Sequence, residues 1–223
     1  MEGASRTILP PPKPQKAERA ARAARNAEGL ARRHFILHDS RPPHVAAINP
    51  AELDPFLRGL LFTDGTVTRT LEVKTLSPVS VTVISQADST ASGEVATHLE
   101  VPDETATVQR RVAIGRAGSA PPVIWAESHI VPDRLPANFF GVLDGSREGI
   151  GESLQRVELE SWREMLWFGL DAPPEWTVVA SKCPAPVITR LYRVISGGKP
   201  ALLISESFVL EDQSGTYHLK WPL

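Results

Sequence analysis

Two β-branched, largely apolar runs, at residues 187–195 and 201–210, stand on either side of Ser196-Gly197-Gly198-Lys199-Pro200. Paired glycines supply the positive φ angles of a tight turn, so the segment reads as a β-hairpin. Its second strand, Ala201-Leu202-Leu203-Ile204-Ser205-Glu206-Ser207-Phe208-Val209-Leu210, carries one charge in ten residues, Glu206. The chain must therefore fold around this strand and around a carboxylate that burial penalises. Burial would raise the pKa of Glu206 and let it exchange a proton near neutrality.

The other elements follow from local pattern. Residues 79–84 alternate and are β-branched, which predicts a strand. Residues 108–114 and 123–131 predict two more, joined across Gly115-Arg116-Ala117-Gly118. Asn49-Pro50 is a helix cap and first turn, followed by Leu53, Phe56, Leu57, Leu60 and Leu61 at helical spacing. Asp64-Gly65 is a turn that ends this helix and is expected to feed the next strand. Residues 135–143 and 159–170 show helical apolar spacing, the second with Trp162, Leu166 and Gly169 on one side. Hairpins with helices between them imply an α+β fold: a single, mostly antiparallel β-sheet with helices packed on one face.

Residues 1–45 read as a basic, Pro/Ala/Arg-rich, flexible extension, and residues 46–223 as one domain. Pro10, Pro11, Pro12 and Pro14 keep the start extended. From Lys16 to Arg33 the Ala- and Arg-rich sequence is compatible with a helix, but Leu30 is its one large apolar residue. There is thus no stripe with which to dock, and a solvated or disordered extension is the reading taken. Residues 1–33 hold eight basic and three acidic side chains, a charge of +5, which leaves −7 of the net −2 for the remainder. A body this acidic is a poor partner for nucleic acid. No run of 18 apolar residues exists to span a membrane, and no secretory leader is seen. The single cysteine, Cys183, cannot pair internally, which fits a reducing, cytoplasmic setting.

Several chemistries find no support. His34 and His38 are spaced i, i+4 without a zinc-protease signature, so no metal is expected. Ser196 and Lys199 match a nucleophile pattern by letter only, in a turn with no helix to stand on. Gly149-Ile150-Gly151 lacks the strand-before-helix context of a dinucleotide loop. Two features remain, Glu206 and the neighbouring Arg110 and Arg111. Adjacent strand residues point to opposite faces, so one of the two arginines faces inward. A buried guanidinium needs a carboxylate, which comes from the protein or from a ligand. On pattern alone, a structural ion pair, between the two or with Glu127, is favoured over a ligand site.

Six segments, in order, resemble the chorismate pyruvate-lyase family: residues 60–69, 79–84, 109–112, 126–132, 150–154 and 202–208. The resemblance covers roughly residues 50–211. It implies the chorismate-lyase-like fold, no cofactor, and conversion of chorismate to 4-hydroxybenzoate and pyruvate. By resemblance, Arg110 grips the ring carboxylate and Glu206 meets the ring hydroxyl. Thr66 and Ile150 fall where family members supply backbone N–H groups to that carboxylate. Arg69 or Arg111 is expected to serve the second carboxylate. The partner expected is a small molecule, with no nucleic acid and no membrane, and the protein is expected to be a cytoplasmic monomer. Two alternatives stay open: an enzyme acting on a chorismate derivative, and a non-catalytic, effector-sensing domain of the same fold.

Overall fold

Gly197 and Gly198 form the tight turn with φ of 55° and 74°. They join β5 (Val187–Ser196) to β6 (Lys199–Gln213), and Ser196 pairs with Lys199 across the turn. The computed structural model describes residues 15–117, 121–145, 149–177 and 187–220; Cys183 lies outside them. The other strands are β1 (Val79–Thr90), β2 (Ala106–Arg116), β3 (Ile124–Ile130), β4 (Ser161–Asp171) and β7 (Thr216–Leu219). Their order is β1-β2-β3-β6-β5-β4, with β7 paired to β6, and every pairing is antiparallel. β6 is central, as its apolar sequence requires.

The helices are α1 (Gln15–His34), α2 (Pro55–Phe62), α3 (Val67–Thr75), α4 (Gly93–Leu99), α5 (Phe139–Gly145) and α6 (Ile150–Arg156). Side chains of α1, α2, α3, α5 and α6 share one core with the front of the sheet, including Leu57, Leu60, Leu71, Phe139, Ile124 and Phe208. Each fully buried leucine here contributes about 1.5–3 kcal/mol. α4 alone packs on the back, where Ala96 and Leu99 meet Leu166, Trp167 and Leu203. Among the described residues, no helix is long and apolar enough to cross a membrane.

Three elements differ from the sequence reading. Residues 159–170 form a strand rather than a helix. A bulge between Met165 and Trp167 breaks the alternation: Met165 and Phe168 enter the front core, Leu166 and Trp167 the back. The edge of β4 is also covered, because Ile36 and Leu37 donate to the carbonyls of Met165 and Leu166 (3.0 and 2.8 Å). Ala46 bonds Leu170 in both directions, so close that a Cβ on Gly169 would sit 2.6 Å from the Ala46 oxygen. A bulged strand buried on both faces loses its period of two and imitates helical spacing.

The segment after Asp64-Gly65 is a helix, α3, before the chain reaches β1. Its β-branched residues masked an i, i+4 pair, Val67 and Leu71, that anchors it in the core. α3 ends at Leu76, left-handed at φ 49°, two residues before Pro78. Residues 15–34, read as a flexible extension, instead form a helix that docks. Ala27 and Ala31 are buried one turn apart, and Phe35 follows with its ring 4.7 Å from that of Phe168. Small side chains let α1 approach closely, a contact that a search for large apolar residues misses. Asn49, which caps a short 3-10 turn rather than a long helix, also donates from Nδ2 to the Ala24 carbonyl at 3.1 Å.

Candidate functional site

Arg190 and Glu206 are direct partners in the register of β5 with β6. Both are buried, Arg190 completely and Glu206 to 5% exposure. Arg190 Nε donates to Glu206 Oε2 at 2.7 Å. Nη2 lies 2.7 Å from the same oxygen, close enough for the ion pair but without hydrogen-bond geometry. Nη1 donates to the carbonyls of Leu60, Leu61 and Thr63 at 2.8, 2.9 and 3.1 Å. One guanidinium thus satisfies the orphan carbonyls that end α2 and compensates the buried carboxylate. It also fixes the Thr63–Thr66 turn beside Glu206. Tyr192 donates its hydroxyl to Glu206 Oε1 at 3.1 Å. Burial, and then the nearby Glu206 charge, push the Tyr192 phenol up in pKa, so it stays a donor.

These groups border a cavity on the front of the sheet. Its floor is apolar, formed by Val81, Val112, Ile114, Ala126 and Ile204; Arg110, Ser128, Arg163, Tyr192 and Glu206 supply polar groups. Residues 65–68 and 149–152 close it from above. Arg110 is therefore the inward arginine. It is 3% exposed, and Nη1 donates to the Gln86 amide oxygen. Asp144 lies 3.7 Å away but is 54% exposed. Burial lowers the pKa of Arg110 and Asp144 opposes this; an arginine stays charged regardless. Among the described residues, its side-chain partners are an amide and a distant, wet carboxylate.

Arg111 points to the other face. Its Nε donates to Glu127 Oε2 at 3.0 Å, and its guanidinium lies 5.5 Å from the Trp176 ring centre. Burial alone would raise the pKa of Glu127, but hydrogen bonds from His129 and Arg111 outweigh it and hold the group at about 2. This folded-state value lies below the ordinary 4.5, so the stabilisation is present above about pH 4.5 and is lost as pH falls towards 2. Acid denaturation followed from pH 5 to 2 should show Glu127→Gln losing about 2 kcal/mol less than the parent. Equal losses would refute the linkage.

Of the six side chains named from sequence, the structure brings Arg110, Glu206, Thr66 and Ile150 to the cavity. It does not bring Arg69, which is exposed and donates to Gln155 Oε1 at 3.2 Å, nor Arg111. In their stead stands Arg163, from β4. Its Nη1 donates to the Asp64 carbonyl, and its guanidinium carbon lies 5.9 Å from the Tyr192 ring centre. Its Nε is buried without a partner. Thr68 donates to Glu152 Oε1 at the opposite lip.

The two covering segments meet through glycine. A Cβ on Gly151 would overlap the Thr66 side chain and lie 3.2 Å from Arg163 Nη2. Gly151→Ala is therefore expected to destabilise by about 1–3 kcal/mol, read as a lower urea midpoint. Gly59→Ala, in α2 with open space around its Cβ, should instead be neutral or stabilising by about 1 kcal/mol. Equal shifts for the pair would contradict the close packing.

Other concavities fit ligand chemistry less well. A wider one on the back is lined by Trp125, Trp167, Trp176, Glu127 and His129, and of its carboxylates Glu127 is already spent on Arg111 and His129. Among the described residues, Glu28, His38 and Asp39 bring possible metal-ligand atoms within 4.8 Å of one another. Arg32 bridges both carboxylates there, at 3.3 and 3.1 Å, in place of an ion.

Comparison with known proteins converges on this sheet. The family described as "Chorismate pyruvate-lyase Rv2949c-like" matches residues 61–214. A protein named chorismate pyruvate-lyase from Mycobacterium leprae (strain TN) is 30% identical over 162 residues, 71% of this chain and 76% of that one. One of the same name from Mycobacterium tuberculosis (strain ATCC 25618 / H37Rv) is 26% identical over 162 residues, 71% of this chain and 81% of the other. Among solved structures, PhnF from Mycobacterium smegmatis aligns with a TM-score of 0.53 at 10% identity, over 66% of this chain. The match spans 64% of that PhnF chain, a little under two thirds. The effector domain of the same protein aligns at 0.51 and 11% identity, over 65% of this chain and 88% of that one. At such identities the structural likeness is one of fold alone. The matched segment contains every cavity residue named above, and the chain belongs to the Rv2949c-like chorismate pyruvate-lyase family.

Proposed function

We propose that the protein cleaves chorismate to 4-hydroxybenzoate and pyruvate. The observation that carries the reading is the placement of Arg110 and Glu206 on one face of the sheet, with β3 between their strands. Two inter-strand steps and a two-residue offset along the strands separate their backbones by roughly 12 Å. The floor between them is apolar, with Ala126 and Ile204 among its residues. This arrangement suits a six-membered ring carrying a carboxylate at one end and a hydroxyl opposite.

In the proposed reaction the hydrogen on the hydroxyl-bearing ring carbon leaves as a proton. The ether C–O bond on the adjacent carbon breaks, and its electron pair departs with enolpyruvate. The former C–H electrons complete the aromatic sextet, and enolpyruvate takes up a proton to become pyruvate. Aromatisation drives the step, so orientation and charge compensation are what the protein must supply. Arg110 holds the ring carboxylate, assisted by backbone N–H groups at Thr66 and Ile150. Glu206 accepts a hydrogen bond from the ring hydroxyl and assists the proton's departure. Arg190 and Tyr192 keep the carboxylate of Glu206 aimed at the cavity.

Incubation of the purified protein with chorismate tests this. Equimolar 4-hydroxybenzoate and pyruvate are expected, and their absence at substrate excess would overturn the reading. The runner-up, an effector-sensing domain, shares the fold with PhnF; it would bind the ligand and return it unchanged.

A further inference from the structure

Chorismate carries two carboxylates, and the cavity side chains assigned so far account for one. We infer that Arg163 binds the second, the carboxylate of the enolpyruvyl group; this rests on the lyase reading above. The cavity's other cations are committed elsewhere. Arg190 is consumed by Glu206 and three carbonyls. Arg110 stands beside Gln86 at the far side of β3.

Arg163 differs from both. Among the described residues it forms no ion pair; Nη1 donates to the Asp64 carbonyl, the guanidinium also hydrogen-bonds the Tyr192 hydroxyl, and its buried Nε has no partner. A buried guanidinium N–H left unmade is costly, and a ligand carboxylate is the acceptor that would satisfy it. The guanidinium is also placed rigidly. Asp64 holds one end, the Tyr192 ring lies beneath, and Gly151 leaves room for Nη2 where any larger residue would not. Tyr192 in turn donates to Glu206, so Arg163 sits on the Glu206 side of the cavity, away from Arg110. In chorismate the ether carbon is next to the hydroxyl-bearing carbon and meta to the ring carboxylate, so the enolpyruvyl arm leaves the ring beside the hydroxyl. A ring held by Arg110 and Glu206 therefore directs its enolpyruvyl arm towards Arg163.

The assignment separates substrate from product. Chorismate has the second carboxylate and 4-hydroxybenzoate lacks it, so Arg163 sets specificity for the enolpyruvyl acid and releases the aromatic product. The test measures KM for chorismate and Kd for 4-hydroxybenzoate in the parent, in Arg163→Gln and in Arg163→Lys. Arg163→Gln should raise KM about 10- to 100-fold while moving the 4-hydroxybenzoate Kd less than about threefold. Arg163→Lys, which keeps the charge, should recover part of the loss. A parent that turns chorismate over, combined with an Arg163→Gln variant that weakens both ligands equally or neither, would overturn this assignment alone. A parent that binds neither ligand would overturn the lyase reading and this inference with it.

Discussion

Replacing Arg190 by methionine is expected to lower the melting temperature by about 10 °C or more. Among the described residues, the variant leaves the buried Glu206 carboxylate with Tyr192 as its remaining side-chain donor, and strips three carbonyls at the end of α2 of theirs. Breaking a buried pair from one side costs about 3–5 kcal/mol. In a chain of this length each kcal/mol shifts the midpoint by about 2–4 °C. Arg190→Met with Glu206→Leu removes both charges, and that double variant should recover a substantial part of the loss, because an apolar pair carries no uncompensated charge. A single variant melting within about 3 °C of the parent would show that Arg190 does not carry this junction.

Arg110→Ala should behave in the opposite way. The expected result is a fall in kcat/KM for chorismate of about 30- to 1000-fold, from losing about 2–4 kcal/mol of directed charge contact in the transition state. Stability should change little or rise, since Arg110 is 3% exposed with an amide and a mostly solvated carboxylate as neighbours. A charge buried without full compensation inside the protein is held for a partner that arrives from outside. Near-parental kcat/KM would sink the role given to Arg110, and a large loss of stability would move it into the class of Arg190.

These two arginines also mark what the sequence made legible. The β5–β6 hairpin was plain because its turn chemistry is local and its strands are largely apolar. Glu206 stood out as a lone charge in such a strand. The same argument applied to residues 187–195 would have singled out Arg190 and Arg193, whose odd separation sends them to opposite faces. It was not available for Arg163, because the bulge at Met165 and the covered edge of β4 disguised that strand as a helix. The choice between Arg110 and Arg111 needed register: pairing with Gln86 and Ser128 turns Arg110 inward, while Arg111 opposite Glu127 faces Trp176. Arg69, close in sequence to the Thr66 turn, was a neighbour along the chain but not in space. Long-range pairing, rather than propensity, decided each of these points.

The claim at the centre of this account is that one ring lies between Arg110 and Glu206. The most direct measurement is a crystal structure with 4-hydroxybenzoate bound. The ligand carboxylate is expected on Arg110 and its hydroxyl on Glu206, each at about 3 Å, with the ring over Ala126 and Ile204. A ligand bound with its carboxylate on Arg163, or seated on the tryptophan-lined back of the sheet, would contradict it.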